Sequence, residues 1–278
     1  MIKKDKIEFL NDRKVGIVGC GHLGQSIALS LIKNGLKRET LFLSSRGNPK
    51  TQSRLQALGL AQNLKTNQEI FQNAGIILIT IRPQDLPELK KTMVPGKGLI
   101  VSCMAGVPIS LINTALNAPV CRMMFSGPDT IEQESGVASM FPEHEDLKLL
   151  LRCMNLTHIR SKSENDLDVF TAGVCMPAAI LKAGHRDEAQ KAIYEIADEY
   201  PLFSELYQWA VSVLPHFQTQ KEQNQYIEKM VTKGGVTEAI INSLCSGASF
   251  DAALRAGVSR TKQISKEIQR SILSGLQD

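Results

Sequence analysis

"VGIVGCGHLG", residues Val15 to Gly24, decides how the first half of this chain reads. The apolar run Val15-Gly16-Ile17-Val18 predicts a strand. After it, Leu23, Ile27, Leu31 and Ile32 fall on one face of a helix that stops at Asn34-Gly35. Between the two stand Gly19, Gly21 and Gly24 in the G-x-G-x-x-G spacing, with His22 and Leu23 inside it. Alone that spacing is a weak signal. Here it sits between strand and helix, where Gly19 allows a tight turn, Gly21 leaves room for a pyrophosphate and Gly24 lets helix and strand approach. The first amides of the helix then face the negative charge, with His22 beside it. The alternative is an ordinary glycine-rich turn without a ligand.

The end of the next strand tests which dinucleotide fits. An NAD site carries an acidic residue about 20 residues on, where it accepts from the ribose hydroxyls. Here Leu41-Phe42-Leu43 is followed by Ser44-Ser45-Arg46, with no carboxylate. Two hydroxyls and a guanidinium suit a 2′-phosphate, which arginine binds through two charge-assisted bonds. Lys50 and Arg54 add to the field. NADPH is therefore expected over NADH, against the alternative that Arg46 is a solvated loop residue.

The 278 residues suffice for one or two domains, and 43% hydrophobic with 22% charged residues is ordinary for a globular chain. The net charge of +4 is dispersed, so nucleic acid is not expected as a partner. No stretch reads as a signal peptide or membrane span, and a cytoplasmic location is expected. Six cysteines without a C-x-x-C and five histidines without ligand spacing argue for free thiols and no metal.

Strands are expected at Leu41–Leu43, around Leu60 to Leu64, at Ile76–Ile81, Leu99–Ser102, Val120–Met123 and Val137–Met140, with helices between them. This alternation predicts an α/β fold: an N-terminal Rossmann-type, doubly wound, mostly parallel sheet over residues 1–162. Residues 163–278 are expected to form an all-helical substrate-binding and dimerisation domain, with one helix over Leu167 to Lys182. The apolar content of that half suggests a homodimer or a larger homo-oligomer.

One further stretch carries chemistry. "TKGGVTEAI", Thr232 to Ile240, leads Gly234-Gly235 into a helix whose free amides can hold a small carboxylate, with Val236 and Thr237 on its first turn. The alternative makes Thr237 a plain capping hydroxyl. Cys175 has no assignable histidine partner and reads as a structural thiol.

Together these stretches resemble the pyrroline-5-carboxylate reductases, from about Lys14 to Arg260. "GCGHLG" looks like their glycine loop. "IRPQDL" is similar to their Lys-Pro-Gln turn with Arg82 in the lysine place, and "SCMAGVPISLI" resembles the segment after their fifth strand. The most specific likeness is between Gly234-Gly235-Val236-Thr237 and their Gly-Gly-x-Thr helix start. The resemblance implies NADPH-dependent reduction of a cyclic imine, 1-pyrroline-5-carboxylate to L-proline or a close analogue. It places Ile81, Arg82, Pro83, Met104, Ala105 and Gly106 on the cofactor. It places Gly234, Gly235, Val236 and Thr237 on the substrate carboxylate, with Thr237 near the imine nitrogen, and Cys175 and Met176 beside the substrate.

Two segments depart from the family pattern. "RMMFSGP" has Phe125 and Ser126 where proline and asparagine are usual, and "GVCMPA", Gly173 to Ala178, replaces Ser-Gly-Ser-Gly-Pro-Ala. Bulky Val174 and Met176 are expected to narrow the pocket. This keeps open an NADP-dependent oxidoreductase with another substrate, or an NADPH-binding protein without catalysis.

Overall fold

Val15–Val18 forms the first strand, β1, and its four residues are buried. The computed structural model of the chain describes residues 2–94 and 96–277, and the side chains of 7–94 and 96–275. Strands β2 (Leu41–Ser44), β3 (Ile76–Ile79), β4 (Leu99–Ser102), β5 (Val120–Phe125), β6 (Val137–Phe141) and β7 (Thr157–His158) complete a sheet ordered β2-β1-β3-β4-β5-β6-β7. Pairing is parallel from β2 to β5, antiparallel between β5 and β6, and parallel again between β6 and β7. Val15 lies beside Leu41 on one side and Ile76 on the other. A strand buried between two neighbours and between helices on both faces needs apolar residues at every position, which explains the unbroken run Ile76–Ile79.

The helices of this layer are α1 (Ile2–Arg13), α2 (His22–Lys33), α3 (Pro49–Ala57), α4 (Asn67–Asn73), α5 (Leu86–Thr92), α6 (Ile109–Leu116), α7 (Pro128–Glu132) and α8 (Glu145–Cys153). Helix α4 starts on the capping box of Thr66 and Glu69. Because β2 and β3 lie on opposite sides of β1, the chain reverses direction there. The carboxyl ends of β1 and β3 flank the switch point at which open α/β sheets take ligands.

Two expectations are corrected. The strand expected around Leu60 to Leu64 is a 3-10 turn at Ala61–Asn63 with one bridge from Leu64 to Leu43. Asn63 Nδ2 donates to the carbonyls of Arg38 and Leu41, at 2.6 and 2.9 Å, and so ties this segment by a side chain instead of a ladder. The helix expected over Leu167 to Lys182 is two helices, α9 (Asp166–Gly173) and α10 (Met176–Ala183). Pro177 has no N–H to return to Gly173, so the chain breaks before it and restarts with proline in the first turn.

From there the chain is helical: α11 (Arg186–Glu195), α12 (Leu202–Ser212), α13 (Gln220–Met230), α14 (Val236–Cys245) and α15 (Phe250–Gln277). The chain divides into two compact units, Met1–His158 with Ile268–Asp278, and Ile159–Glu267. This differs from a division into 1–162 and 163–278. The first boundary falls a few residues earlier, and the end of α15 groups with the sheet unit. Ile272 is the reason, since it is wholly buried in the cluster containing Leu86, Leu89 and Ile112.

Candidate active site

The glycine turn is fixed by both neighbouring strands. Gly19 adopts φ +93°, and a Cβ there would stand 2.4 Å from Ile81 Cγ2 and 2.9 Å from the Ile81 amide. Only glycine fits. The amides of Gly19 and Cys20 donate to the Ser44 carbonyl at 3.2 and 2.7 Å, while Thr80 Oγ1 donates to the Gly19 carbonyl at 2.8 Å. Gly24 is a packing glycine, because its Cβ would meet Thr80 Oγ1 at 2.9 Å and the Gly19 carbonyl at 3.0 Å.

Gly21 differs from both. It caps α2 without a side-chain bond, and the nearest atom to a Cβ there is the Gly19 carbonyl at 4.0 Å. The first helical bond runs from Gln25 N to the Gly21 carbonyl at 2.9 Å, so the amides of His22, Leu23 and Gly24 precede it. A bare glycine beside the opening amides of a helix suits the pyrophosphate of a dinucleotide.

A cavity of about 650 Å³ lies at this switch point. Of the expected residues, it brings together Gly19, Gly21, Ser44, Ser45, Arg46, Ile81 and Arg82. Sequence reasoning missed Asn48, Thr80 and Asp85, which share its lining. Asn48 was legible as a cap before Pro49, and its Oδ1 accepts from Lys50 N at 3.0 Å. Thr80 carries only the weak signal of a hydroxyl ending an apolar run. Met104 is buried among Val18 and Ile79, so its side chain belongs to the core. Next to it Ala105 is exposed and Gly106 takes φ +73°.

The second candidate cluster lies within the helical unit. Gly235 caps α14 without a side-chain bond, and Gly234 precedes it at φ +72°. Gly234 N donates to Glu238 Oε2 at 2.7 Å, and its carbonyl accepts from Arg260 Nε at 2.9 Å. The first helical bond is Ala239 N to the Gly235 carbonyl at 3.2 Å, after the opening amides of Val236, Thr237 and Glu238. Thr237 Oγ1 donates to Cys175 Sγ at 3.2 Å, and the thiol in turn donates to the Thr171 carbonyl at 3.5 Å. Burial pushes the Cys175 thiol up to about 11, with the Thr237 bond pulling the other way. A thiol that holds its proton so firmly is no nucleophile near neutrality.

Two of the departures from the family pattern, Met176 and Phe125, are buried side chains. Met176 is wholly buried, so it packs the interior of the helical unit. Phe125 is buried in the core of the sheet. Ser126 Oγ accepts from Val137 N at 3.0 Å and lies 2.7 Å from Thr130 Oγ1, which ties β5 to β6. Val174 and Cys175 are only partly buried.

No group of histidine, cysteine, aspartate and glutamate side chains is placed to hold a metal ion among the described residues. No helix among them is long and apolar enough to cross a membrane.

A doubly wound sheet with a glycine turn and a cleft at its switch point places the chain in the Rossmann-type α/β class. Residues 14–106 match the family model described as NADP oxidoreductase, coenzyme F420-dependent. The chain is similar to the pyrroline-5-carboxylate reductases over most of its length. It is 26% identical over 276 residues to pyrroline-5-carboxylate reductase of Aquifex aeolicus, covering 92% of this chain and 97% of that one. With pyrroline-5-carboxylate reductase 3 of Rattus norvegicus it shares 30% identity over 151 residues, 51% of this chain, and spans 54% of that protein's length. Among solved structures, the Coxiella burnetii reductase has the same fold, with a TM-score of 0.58 at 21% identity over 92% of this chain and 98% of that one. The Plasmodium falciparum enzyme, solved with NADP bound, has a TM-score of 0.56 at 18% identity over 93% and 98%.

Proposed function

We propose that this chain reduces 1-pyrroline-5-carboxylate, or a closely similar cyclic imino acid, to the saturated ring acid with NADPH. The observation that carries the reading is the first turn of α14, where opening amides for a carboxylate and the Thr237 hydroxyl stand within three residues. Its support is the Gly21 cradle with Ser44, Ser45 and Arg46 in one cleft.

In this reading the α2 amides His22 to Gly24 receive the pyrophosphate, and Ser44, Ser45 and Arg46 receive the 2′-phosphate. Ile81, Arg82 and Pro83 border the bound dinucleotide, and the backbone at Met104 to Gly106 faces its nicotinamide end. NADPH, when bound, supplies a hydride to the imine carbon. Val236 and Thr237, on the first turn that Gly234 and Gly235 shape, hold the substrate carboxylate, and Cys175 supports Thr237. Because the Thr237 proton is committed to Cys175 Sγ, its oxygen lone pairs are left to accept from the ring N–H of a protonated imine. That contact orients the C=N bond and stabilises its charge. A protonated imine is already electrophilic, so positioning and exclusion of water can supply most of the acceleration.

The core locations of Met176 and Phe125 favour this substrate class over a rebuilt pocket. The reading includes a helical unit that binds substrate and joins copies of the chain into a homodimer or larger assembly, working in the cytoplasm. It is supported by the partly exposed Val236, Ala239, Ile241 and Leu244 along α14, and by six free cysteines. The test is NADPH oxidation by the purified protein with pyrroline-5-carboxylate beside a panel of other cyclic imines. Turnover restricted to imines lacking a carboxylate would sink the carboxylate assignment. Binding of NADPH without turnover of any imine would favour a chain that has lost catalysis.

A further inference from the structure

The sequence places no carboxylate at the end of β2, but the fold brings one there. Asp85, from the turn after β3, meets Arg46 through two parallel bonds, Nη1 to Oδ1 at 2.8 Å and Nη2 to Oδ2 at 2.7 Å. Asp85 is the N-cap residue of α5 yet makes no capping bond. Its carboxylate is turned to the arginine instead, and its side chain is only 13% exposed against 62% for Arg46. A second guanidinium, Arg82, lies with Nε 3.4 Å from Asp85 Oδ2. All three line the same cleft.

We propose that Asp85 sets the nucleotide preference of this cleft by competing with the 2′-phosphate for the guanidinium fork of Arg46. The inference rests on the assignment of this cleft to NADPH. A phosphate and a carboxylate claim the same planar pair of N–H donors, so one displaces the other. Arg82 makes the exchange feasible, because Asp85 keeps a cation beside it when Arg46 turns to the phosphate. NADH carries no group that claims the fork, and the Asp85 carboxylate does not oppose it. The chain therefore discriminates against NADH less than Ser44-Ser45-Arg46 would alone.

The test is titration of the full-length protein with NADPH and with NADH, by nucleotide fluorescence and without any imine. Asp85→Asn should tighten NADPH about three- to tenfold, the range expected on removing a competing, partly exposed ion-pair partner of Arg46. NADH should change less than about twofold, so the ratio of the two affinities rises. Asp85→Glu, which keeps the charge, should stay near the parent. In an Arg46→Ala background the gain from Asp85→Asn should vanish, since the competition runs through that fork. An unchanged ratio in Asp85→Asn overturns the proposal and leaves the NADPH assignment standing. A gain that persists without Arg46 also overturns it, because Asp85 then acts as a distant charge only. A parent protein that binds neither nucleotide overturns both. Failure to turn over an imine touches neither, as the titrations contain none.

Discussion

Helices α2 and α14 both begin on a glycine without a side-chain cap, Gly21 and Gly235, and both present opening amides. Around Gly21 a Cβ would meet nothing nearer than 4.0 Å, so the turn is open toward the cleft. Around Gly235 it would meet the Thr232 carbonyl at 2.8 Å, and Gly234 is gripped by Glu238 and Arg260. The first start has room for a large anion against the backbone. The second is closed on its glycine side, leaving only the first turn itself for a small anion. The same local rule thus yields two helix starts of different openness, and the surrounding contacts make the difference.

The comparison breaks most sharply at Gly21. Gly21→Val should reduce NADPH affinity at least about 100-fold while the melting temperature stays near that of the parent, since the side chain enters the space of the pyrophosphate and not the packed interior. Titration and thermal melting check the two halves of this outcome. Normal binding by the folded variant would remove the cradle.

At the other helix start, Thr237→Ala should lower kcat on pyrroline-5-carboxylate about 100-fold, on the scale of removing one positioned electrostatic contact to the reacting group. NADPH binding should be unaffected and Thr237→Ser should keep most activity. A loss confined to KM would mean that Thr237 only anchors the substrate.

A smaller effect separates the family departures from one another. A Cβ at Gly173 would stand 2.4 Å from Leu206 Cδ1 and 3.2 Å from Leu206 Cβ. Gly173→Ser should therefore destabilise the protein by about 1–3 kcal/mol, as overpacking does. Cys175→Ser, which preserves a donor to the Thr171 carbonyl and an acceptor for Thr237, should leave the denaturation midpoint close to the parent's. Equal midpoints for both variants would show that the α9–α10 junction yields more readily than its packing implies.

The smallest effect is on pH dependence. Burial pushes the thiols of Cys20 and Cys103 up to about 12 and that of Cys175 up to about 11, from an ordinary 9.0. The folded chain holds these protons where the unfolded chain has released them, so their contribution is complete below pH 9 and is lost as pH rises toward 11 to 12. The melting temperature should fall by a few degrees more per pH unit above 9 than below it. Under native conditions near neutrality, alkylation followed by mass spectrometry should mark the exposed Cys245 well before the buried thiols.

Much of the sheet was legible in the sequence because buried parallel strands need unbroken apolar runs, as at Val15–Val18 and Ile76–Ile79. Less was legible where one side chain outweighs the local pattern. Asn63 replaces a strand with a tied turn, and Pro177 divides a helix that its apolar spacing joins. The fate of Met176 and Phe125 was illegible for another reason, since spacing cannot tell a residue facing a pocket from one facing the core.

By itself the sequence determined the glycine turn, its place between strand and helix, and the second glycine pair before Thr237, because each is a contiguous stretch whose backbone conformation its own residues dictate. Only the tertiary structure decided that Thr237 donates a hydrogen bond to Cys175, 62 residues away, and that Asp85 closes on Arg46 across 39 residues. Such pairs arise when strand order and loop geometry bring distant segments to one place, and no local periodicity encodes a contact made by a single side chain at the end of a turn.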